Sequence, residues 1–254
     1  MEVLSVDYSA SNAPAKFTQS IRASGFGIVR QPPIEKALVD EANADWQKFF
    51  SDSRKFDYHF AEETQDGFFP THISEKANEL DVKEYYHYYP WGKHPEFLGS
   101  ATGELYRQLS QLAGTFLQWL EENTPPEICA QFSMPLSEMI VDSPKTLLRI
   151  LNYPYVSDKN PKGVVRVGEH TDRNLITLLP APMEMGLQRQ TASGEWHDIP
   201  CEEGSIIVNI ADSLQNATGG YFPSVLHRVY PKSDAAQKPR MAMPLYLHAR
   251  ADLK

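Results

Sequence analysis

After about Lys145 the sequence consists largely of short β-rich runs that are separated by turn-forming residues. The runs lie at residues 147–153, 164–169, 175–179, 186–190, 196–199, 205–210, 225–230 and 241–247. Many short strands with regularly spaced turns are typical of antiparallel sandwiches and jelly rolls. We therefore predict that this part of the chain folds into a β-sandwich or a jelly-roll barrel.

The first half of the chain has a different pattern of apolar residues and is predicted to supply helices. Residues 34–50 carry apolar side chains at helical spacing, and a second apolar stripe at residues 105–120 ends shortly before two prolines. Gly25 is predicted to end an earlier helix, and residues 27–30 are predicted to form a short strand. Residues 51–95 are predicted to be irregular and rich in aromatic side chains. With the helices packed on one sheet, the fold is predicted to be mixed α/β and mainly β.

Composition limits the classes of protein to which the chain can belong. Its 254 residues, 41% of them hydrophobic, are enough for one sizeable core, and we predict a single domain over residues 1–254. The net charge of −9 and the lack of a basic run disfavour nucleic acid and membrane surfaces as partners. Neither a signal peptide nor a membrane span is predicted. Cys129 and Cys201 are interpreted as reduced thiols of a cytoplasmic protein.

A histidine and a carboxylate stand two residues apart between two predicted strands. With 8 histidines and 33 acidic residues, roughly one such pair is expected by chance, so the motif alone is weak. His94 and Glu96 form one pair, but they lie in a proline-containing loop and are interpreted as solvated. His170 and Asp172 form the other pair, and in an extended segment residues two apart point to the same face. These two side chains are therefore predicted to chelate one metal ion.

The third ligand is predicted to be His227, which lies in a late strand of the β region. Two histidines and one carboxylate on one face leave three octahedral positions open, as iron(II) needs when it also holds a co-substrate and dioxygen. Taken alone, His227 would be interpreted as a hydrogen-bonded core histidine. Zinc hydrolases also use two histidines and one carboxylate, so the ligand types leave that alternative open.

An ordered series of short motifs extends over nearly the whole chain. These are SGFG at 24–27, DVKE at 81–84, HTDRNLITLL at 170–179, GLQ at 186–188, GEW at 194–196, NIAD at 209–212, YFPS at 221–224, HRV at 227–229 and RMA at 240–242. Together they resemble the isopenicillin N synthase-like branch of the iron(II)/2-oxoglutarate-dependent dioxygenases. So many matches in the right order are far more specific than any one motif.

The resemblance implies a double-stranded β-helix, which is a jelly roll, with N-terminal and central supporting helices. It also implies an N-terminal non-haem dioxygenase region at 1–100 and a jelly-roll core at 145–250. His170, Asp172 and His227 match the family's iron ligands. The implied activity uses Fe(II), O2 and 2-oxoglutarate, hydroxylates or desaturates a small-molecule substrate, and releases succinate and CO2. The oligomeric state is not implied.

Arg240 matches the family arginine that pairs with the distal carboxylate of 2-oxoglutarate, and a planar guanidinium suits this bidentate role. The family pattern there is Arg-x-Ser, whereas position 242 is Ala in this chain. Tyr153, which matches a tyrosine before the family's proline, is interpreted as a source of the missing hydroxyl contact. A further departure is Ala211, which stands where the family usually has Gly and is interpreted as a turn adjustment.

Two competing functions remain open from the sequence. One is an isopenicillin N synthase-like oxidase that takes all electrons from its substrate, in which Tyr153 would bind a substrate carboxylate. The other is a jelly-roll protein that binds metal without turnover. The aromatic loop suggests a small, partly apolar substrate. Candidate pocket residues are Phe68, Phe69, Tyr85 to Tyr89 and Trp91, with Arg149, Arg166 and Arg173 as possible anion partners.

Overall fold

The computed structural model describes residues 2–76, 79–154, 163–181, 186–230 and 239–250. Its α-helices are α1 (Ala13–Ser24), α2 (Lys36–Ser51), α3 (Ala101–Glu122), α4 (Pro126–Cys129) and α5 (Asp212–Ala217). Its strands are β1 (Ser5–Asp7), β2 (Phe26–Arg30), β3 (Gly67–Lys76), β4 (Glu79–Tyr88), β5 (Leu147–Tyr153), β6 (Gly163–Val165), β7 (Val167–His170), β8 (Ile176–Pro180), β9 (Leu187–Gln190), β10 (Trp196–Asp198), β11 (Ile206–Ile210), β12 (His227–Val229), β13 (Arg240–Ala242) and β14 (Leu245–Leu247).

The described strands form two sheets that pack face to face. The larger sheet has ten strands, with the order β1-β2-β11-β8-β14-β5-β4-β3, while β13 pairs with β5 and β6 pairs with β4. The smaller sheet has four strands, with the order β10-β9-β12-β7. Phe26, Ile28 and Ile207 of the larger sheet share one buried cluster with Leu187 of the smaller sheet. This arrangement confirms the predicted double-stranded β-helix.

Helices cover the other face of the larger sheet. Leu148 and Ile150 of β5 lie in one large core with Phe17 of α1 and with Leu109 and Phe116 of α3. Burying each of these large side chains stabilises the fold by about 1.5–3 kcal/mol. Both faces of the larger sheet are therefore covered, one by helices and one by the smaller sheet. The predicted helical brace is confirmed, and α2 and α3 lie where the apolar stripes predict them.

Gly25 ends α1, as predicted, and its conformation explains why the position is a glycine. Its φ of 72° is left-handed, and its N–H donates to the carbonyl of Ile21. A Cβ at this position would lie 2.8 Å from the carbonyl oxygen of Pro223. The Gly25 carbonyl accepts from the N–H of Ile210 in β11, so the turn joins the first helix to the larger sheet.

The prediction that residues 51–95 are irregular is wrong, because β3 and β4 form a long antiparallel hairpin within them. In β4 the aromatic side chains alternate between the two faces of the sheet. Tyr86 and Tyr88 join the core beneath the helices, whereas Tyr85 points to the interior between the sheets. Since both faces carry aromatic residues, the sequence lacks the polar and apolar alternation that normally indicates a strand.

Two predicted strands are interrupted in the structure. The run at 164–169 divides at Arg166 into β6 and β7, which pair in different sheets. The run at 241–247 divides into β13 and β14 before Pro244, which has no N–H to donate. The Pro244 carbonyl still accepts from the N–H of Arg149, which keeps the chain beside β5. Among the described residues, none of the helices combines the length and the hydropathy that a bilayer crossing would need.

Candidate metal and anion site

The strand pairing brings the three predicted metal ligands together. His170 ends β7, His227 begins β12, and the two residues are direct partners in the smaller sheet. Asp172 follows two residues after His170, on the turn that leads into β8. Its Oδ1 lies 3.6 Å from Nε2 of His170 and 3.8 Å from Nε2 of His227. Each of the three residues offers a ligand atom within 4.8 Å of the others, which is close enough to share one ion.

Backbone carbonyls set the orientation of both imidazoles. The Nδ1 of His170 lies 2.8 Å from the carbonyl oxygen of Gly168, and the Nδ1 of His227 lies 3.2 Å from that of Val225. A carbonyl can only accept, so each Nδ1 carries the proton and donates it. Each Nε2 lone pair then faces Asp172 and is available to a metal. Hydrogen bonds of this kind fix the tautomer of ligating histidines.

Asp172 is buried, and its two carboxylate oxygens have different roles. Oδ2 accepts from Thr177 Oγ1 at 2.7 Å and from Asn209 Nδ2 at 2.9 Å, which leaves Oδ1 turned toward the histidines. Burial alone would raise the pKa of this carboxyl, but His170, His227 and the two hydrogen bonds outweigh it, and the pKa is lowered. The residue is therefore an anion ready to bind a cation.

The histidines respond differently to this environment. Burial lowers the pKa of His227, and the charge of Asp172 opposes the shift only in part. Burial also lowers the pKa of His170, but the interaction with Asp172 and the Gly168 carbonyl outweigh it, and the net pKa is raised. A divalent ion would replace the proton between these groups. Two neutral imidazoles and one carboxylate on one face fit iron(II) with three open positions, and zinc is chemically able to use the same donors.

The turn that carries Asp172 is held by the first residue of α5, Asp212. The Asp212 N–H donates to the carbonyl of Asp172 at 2.9 Å, and Thr171 Oγ1 donates to the Asp212 side chain at 3.0 Å. Ala211 has φ −115° and ψ 172°, which is extended backbone that any residue adopts. The alanine at this position is thus accommodated without strain, and its interpretation as a turn adjustment stays a prediction.

Arg240 and Tyr153 lie directly opposite each other on β13 and β5. Both are buried, and Arg240 Nε has no hydrogen-bond partner among the described residues. A buried guanidinium donor without an acceptor is unfavourable, so the position suits an anionic ligand. Ala242 lies opposite Leu151 and packs in one apolar cluster with Leu151 and Tyr153. The assignment of Tyr153 and Arg240 to 2-oxoglutarate stays a prediction.

The aromatic residues that the sequence groups together separate in space. Phe69, Tyr85 and His87 form a ring cluster on the interior side, with Phe69 and Tyr85 stacked at 4.4 Å. Phe68, by contrast, is completely buried in the core beneath the helices, as are Tyr86 and Tyr88. Its assignment to a substrate pocket is therefore wrong, and so are those of Tyr86 and Tyr88. These three side chains stabilise the fold instead.

The loop after β4 and the predicted anion partners Arg166 and Arg173 also lie in different parts of the molecule. Trp91 is exposed and stacks on Tyr89 at 4.7 Å, outside the interior ring cluster. Arg166 is buried, donates to the carbonyl of Pro154 and lies over the Tyr153 ring. Arg173 is exposed on the turn after Asp172.

Arg149 is the candidate that the structure places among the interior aromatic rings. It is half-buried on β5, opposite His87 of β4. The other predicted histidine and acid pair, His94 and Glu96, is exposed in a loop, as its interpretation as solvated requires.

Thr177 and Asn209 are supporting residues that the sequence reasoning missed. Each is the polar residue in an otherwise apolar strand, LITLL for Thr177 and IIVNI for Asn209. Buried polar side chains require partners, so these interruptions were the available signal. Only the pairing of β8 with β11 shows that Thr177 and Asn209 share one partner, the carboxylate of Asp172.

Comparisons with known proteins agree with this geometry. The family model described as the 2OG-Fe(II) oxygenase superfamily matches residues 145–249. The solved structure of a proposed oxygenase from Shewanella oneidensis is 44% identical, with a TM-score of 0.92, and the match covers 98% of this chain and 91% of that one. This chain belongs to the 2OG-Fe(II) oxygenase superfamily. The residues of the metal triad, Tyr153 and Arg240 all lie within the part matched by the superfamily model.

Two curated proteins are similar to this chain over part of their length. Clavatol oxidase from Penicillium crustosum is 35% identical over 141 residues, which are 54% of this chain and 40% of that protein. Gibberellin 2-beta-dioxygenase 3 from Arabidopsis thaliana is 32% identical over 136 residues, which are 53% of this chain and 39% of that protein. The matched part thus spans about two fifths of either relative. The division into regions 1–100 and 145–250 stays a prediction.

The Thr177 hydroxyl is expected to tune metal affinity. Thr177→Val keeps the shape of the side chain but removes one of the two donors to Asp172 Oδ2, so affinity for iron(II) should fall about 10- to 100-fold. Anaerobic calorimetric titration with iron(II) measures the change. Thr102→Val is the matched control, because it removes the acceptor of the Trp46 indole N–H in the helical layer. An unchanged affinity in Thr177→Val would show that the hydroxyl does not support the ligand.

Proposed function

We propose that this chain is an iron(II)- and 2-oxoglutarate-dependent oxygenase that hydroxylates or desaturates a small molecule and releases succinate and CO2. The observation that carries the proposal is the metal triad in the same barrel interior as Arg240, whose buried Nε has no described partner. A metal site alone would serve a hydrolase equally well. A second site for an anion at the start of β13 is what a dicarboxylate co-substrate requires.

The residues of the chain hold and orient the reactants. His170, Asp172 and His227 would bind iron on one face, which leaves the opposite face for ligands. Arg240 would hold the distal carboxylate of 2-oxoglutarate. When bound, iron and 2-oxoglutarate together supply the activation of dioxygen and the oxidising power. The apolar cluster around Leu151 would exclude water from the co-substrate.

The second candidate function is the oxidase of the isopenicillin N synthase-like branch, which needs no oxoacid. The specific observation in its favour is Ala242, because the serine hydroxyl of the Arg-x-Ser pattern is absent. In that case Tyr153 would bind a substrate carboxylate. We further propose a cytoplasmic location and a small-molecule substrate, without nucleic acid or membrane as a partner. The acidic net charge of −9 supports this part of the proposal.

Titration of 2-oxoglutarate into the anaerobic iron(II) protein tests the proposed function, because a chelated oxoacid produces a metal-to-ligand absorption band. Saturable growth of the band supports the proposal. Its absence at millimolar 2-oxoglutarate, with iron(II) bound, would favour the oxoacid-free oxidase. Oxygen uptake that depends on the oxoacid is the corresponding readout of turnover.

Ala242→Ser should tighten 2-oxoglutarate binding in the same titration. A hydroxyl that donates to a charged carboxylate is typically worth about 1.5–3 kcal/mol, which corresponds to roughly 10- to 150-fold in affinity. The rate at saturation should change little, because the contact is far from the reacting atoms. Ala242→Val is the control, since it adds volume without a hydroxyl and should not tighten binding. An equal gain in both variants would attribute the effect to packing rather than to the hydrogen bond.

A further inference from the structure

A cluster of aromatic rings and one arginine lines the interior side of the larger sheet. Phe69 of β3, Tyr85 and His87 of β4, Arg149 of β5 and Tyr246 of β14 are its members. All of them are half-buried, unlike the aromatic residues beneath the helices. A partly open cluster inside a barrel is a candidate binding surface rather than a closed core.

Arg149 is held rigidly within this cluster. Its Nε donates to Nε2 of His87 at 3.1 Å, and its guanidinium carbon lies 5.1 Å from the centre of the Tyr246 ring and 5.4 Å from that of Tyr85. Burial, reinforced by Arg149, lowers the pKa of His87 to about 3, so the imidazole is neutral and accepts the hydrogen bond. The two rings and the imidazole therefore fix the arginine in place without neutralising it.

The positive charge of Arg149 is not balanced by the protein. Among the described residues, no carboxylate forms an ion pair with it. Half-buried arginines usually pair with an acid or reach into water, and a guanidinium fixed among aromatic rings is suited to a carboxylate. A ligand with a carboxylate could therefore supply the negative charge that Arg149 lacks.

Arg149 and Arg240 lie toward opposite ends of the same interior surface. Arg240 pairs with Tyr153, which is four residues from Arg149 on β5 and faces the same side. At about 3.3 Å per residue, the two positions on β5 are roughly 13 Å apart. A ligand on Arg149 and 2-oxoglutarate on Arg240 would therefore not compete for the same guanidinium.

The metal site lies within reach of Arg149. Tyr246 pairs with Thr177 of β8 on one side and with Leu147 of β5 on the other, and Thr177 donates to Asp172. Strand β8, whose Thr177 supports the metal-binding Asp172, is thus separated from β5, which carries Arg149, by two inter-strand spacings of about 4.8 Å each. A small molecule can span this distance, with one end on Arg149 and a reactive carbon near the metal.

The rings beside Arg149 indicate the shape of such a molecule. Phe69 stacks on Tyr85 with ring centres 4.4 Å apart and an angle of 17° between the planes, and Phe60 lies 4.3 Å from Phe69. The ring faces of Phe69 and Tyr85 are thus turned toward one another, toward Phe60 and toward the Arg149 guanidinium, so the ring edges are what they can offer to a ligand. Aromatic edges are electropositive and pack favourably against the electron-rich face of a planar unsaturated group, a gain that an aliphatic chain lacks.

We propose that Arg149 binds the carboxylate of the primary substrate, and that this substrate is a planar, unsaturated carboxylic acid whose body packs edge-to-face against Phe69 and Tyr85. The proposal rests on the proposed function, because it assigns the substrate class of the same oxygenase site. It makes Arg149 a specificity-determining residue that is separate from the co-substrate arginine.

Binding of matched carboxylates and amides tests the proposal. The probes are benzoate, phenylacetate, cinnamate and indole-3-acetate, each compared with its primary amide, in anaerobic protein that contains iron(II) and saturating 2-oxoglutarate. Binding is measured by ligand-observed NMR. At least one carboxylate should bind ten or more times tighter than its amide, and Arg149→Met should abolish that preference. If no carboxylate is preferred, or if the preference survives Arg149→Met, the proposal is wrong.

Arg228→Met is the matched control variant. Arg228 also donates through Nε to a side chain on the neighbouring strand, Gln188, and its guanidinium lies 4.0 Å from the centre of the Trp196 ring, but this assembly does not include the ring cluster around Arg149. The control should keep the carboxylate preference. Should Arg149→Met fail to fold, Arg149→Lys replaces it, because a lysine keeps the charge but loses the planar fork. Carboxylate affinity that equals the wild-type value in Arg149→Lys would contradict bidentate recognition.

The same samples separate failure of this proposal from failure of the proposed function. A 2-oxoglutarate absorption band without carboxylate preference would leave the oxygenase assignment intact and remove the role of Arg149. Carboxylate preference that depends on Arg149 without such a band, measured with iron(II) alone, would support the anion site and overturn the dependence on 2-oxoglutarate.

Discussion

His170→Ala, Asp172→Ala and His227→Ala should each abolish turnover while the fold survives. Each change removes one of three donors that converge within 4.8 Å. Loss of a residue that only supports a ligand costs about 10- to 100-fold in metal affinity, so loss of a ligand itself should cost more. Anaerobic titration with iron(II) and oxygen uptake with 2-oxoglutarate measure the two effects.

The control for these variants is His94→Ala. His94 belongs to the other histidine and acid pair, is exposed, and its Nε2 donates to the carbonyl of Tyr89 at 3.0 Å. This variant should bind iron(II) like the wild-type protein. Circular dichroism should show the same secondary structure in all four variants, because the triad contributes little apolar area to the core. Full activity in any of the three ligand variants would remove that residue from the site.

Arg240→Met should weaken 2-oxoglutarate binding by at least about 100-fold. Two hydrogen bonds to a charged carboxylate are lost, each typically worth about 1.5–3 kcal/mol, and every 1.4 kcal/mol corresponds to a factor of ten. The Kd from the anaerobic absorption titration measures the loss. An unchanged Kd would favour the oxoacid-free oxidase and remove the role assigned to Arg240.

Thermal unfolding adds a second readout for Arg240→Met that a purely structural arginine would not reproduce. Arg240 Nε is buried without a described partner, so its replacement by an apolar side chain should leave the Tm of the protein without 2-oxoglutarate unchanged or higher. The rise in Tm that saturating 2-oxoglutarate causes in the wild-type protein should disappear in the variant. A strong loss of Tm without ligand would instead indicate that Arg240 stabilises the fold. Arg228→Met is the control for both measurements.

Local pattern was enough to predict much of this protein. The helical stripes predicted α2 and α3 because side chains at helical spacing must share one buried face. The short runs after Lys145 predicted a β-sandwich or a jelly roll, and the spacing of His170 and Asp172 predicted a chelating pair. These features depend on residues that are close in the chain, so sequence spacing constrains their geometry directly. The resemblance to a known family supported His227 as the third ligand and added Arg240, since no local pattern connects either residue to the pair.

Pairing between distant strands decided the rest. The hairpin of β3 and β4 was not predicted, because the aromatic run from Tyr85 to Tyr89 is apolar on both faces and gives no periodic signal. Thr177 and Asn209 became supports for Asp172 only when β8 and β11 aligned in the larger sheet. Likewise, alternation along β5 separates Arg149 from the helical core and turns it toward the interior. Such contacts join residues far apart in the chain, and only the register of the folded sheets brings them together.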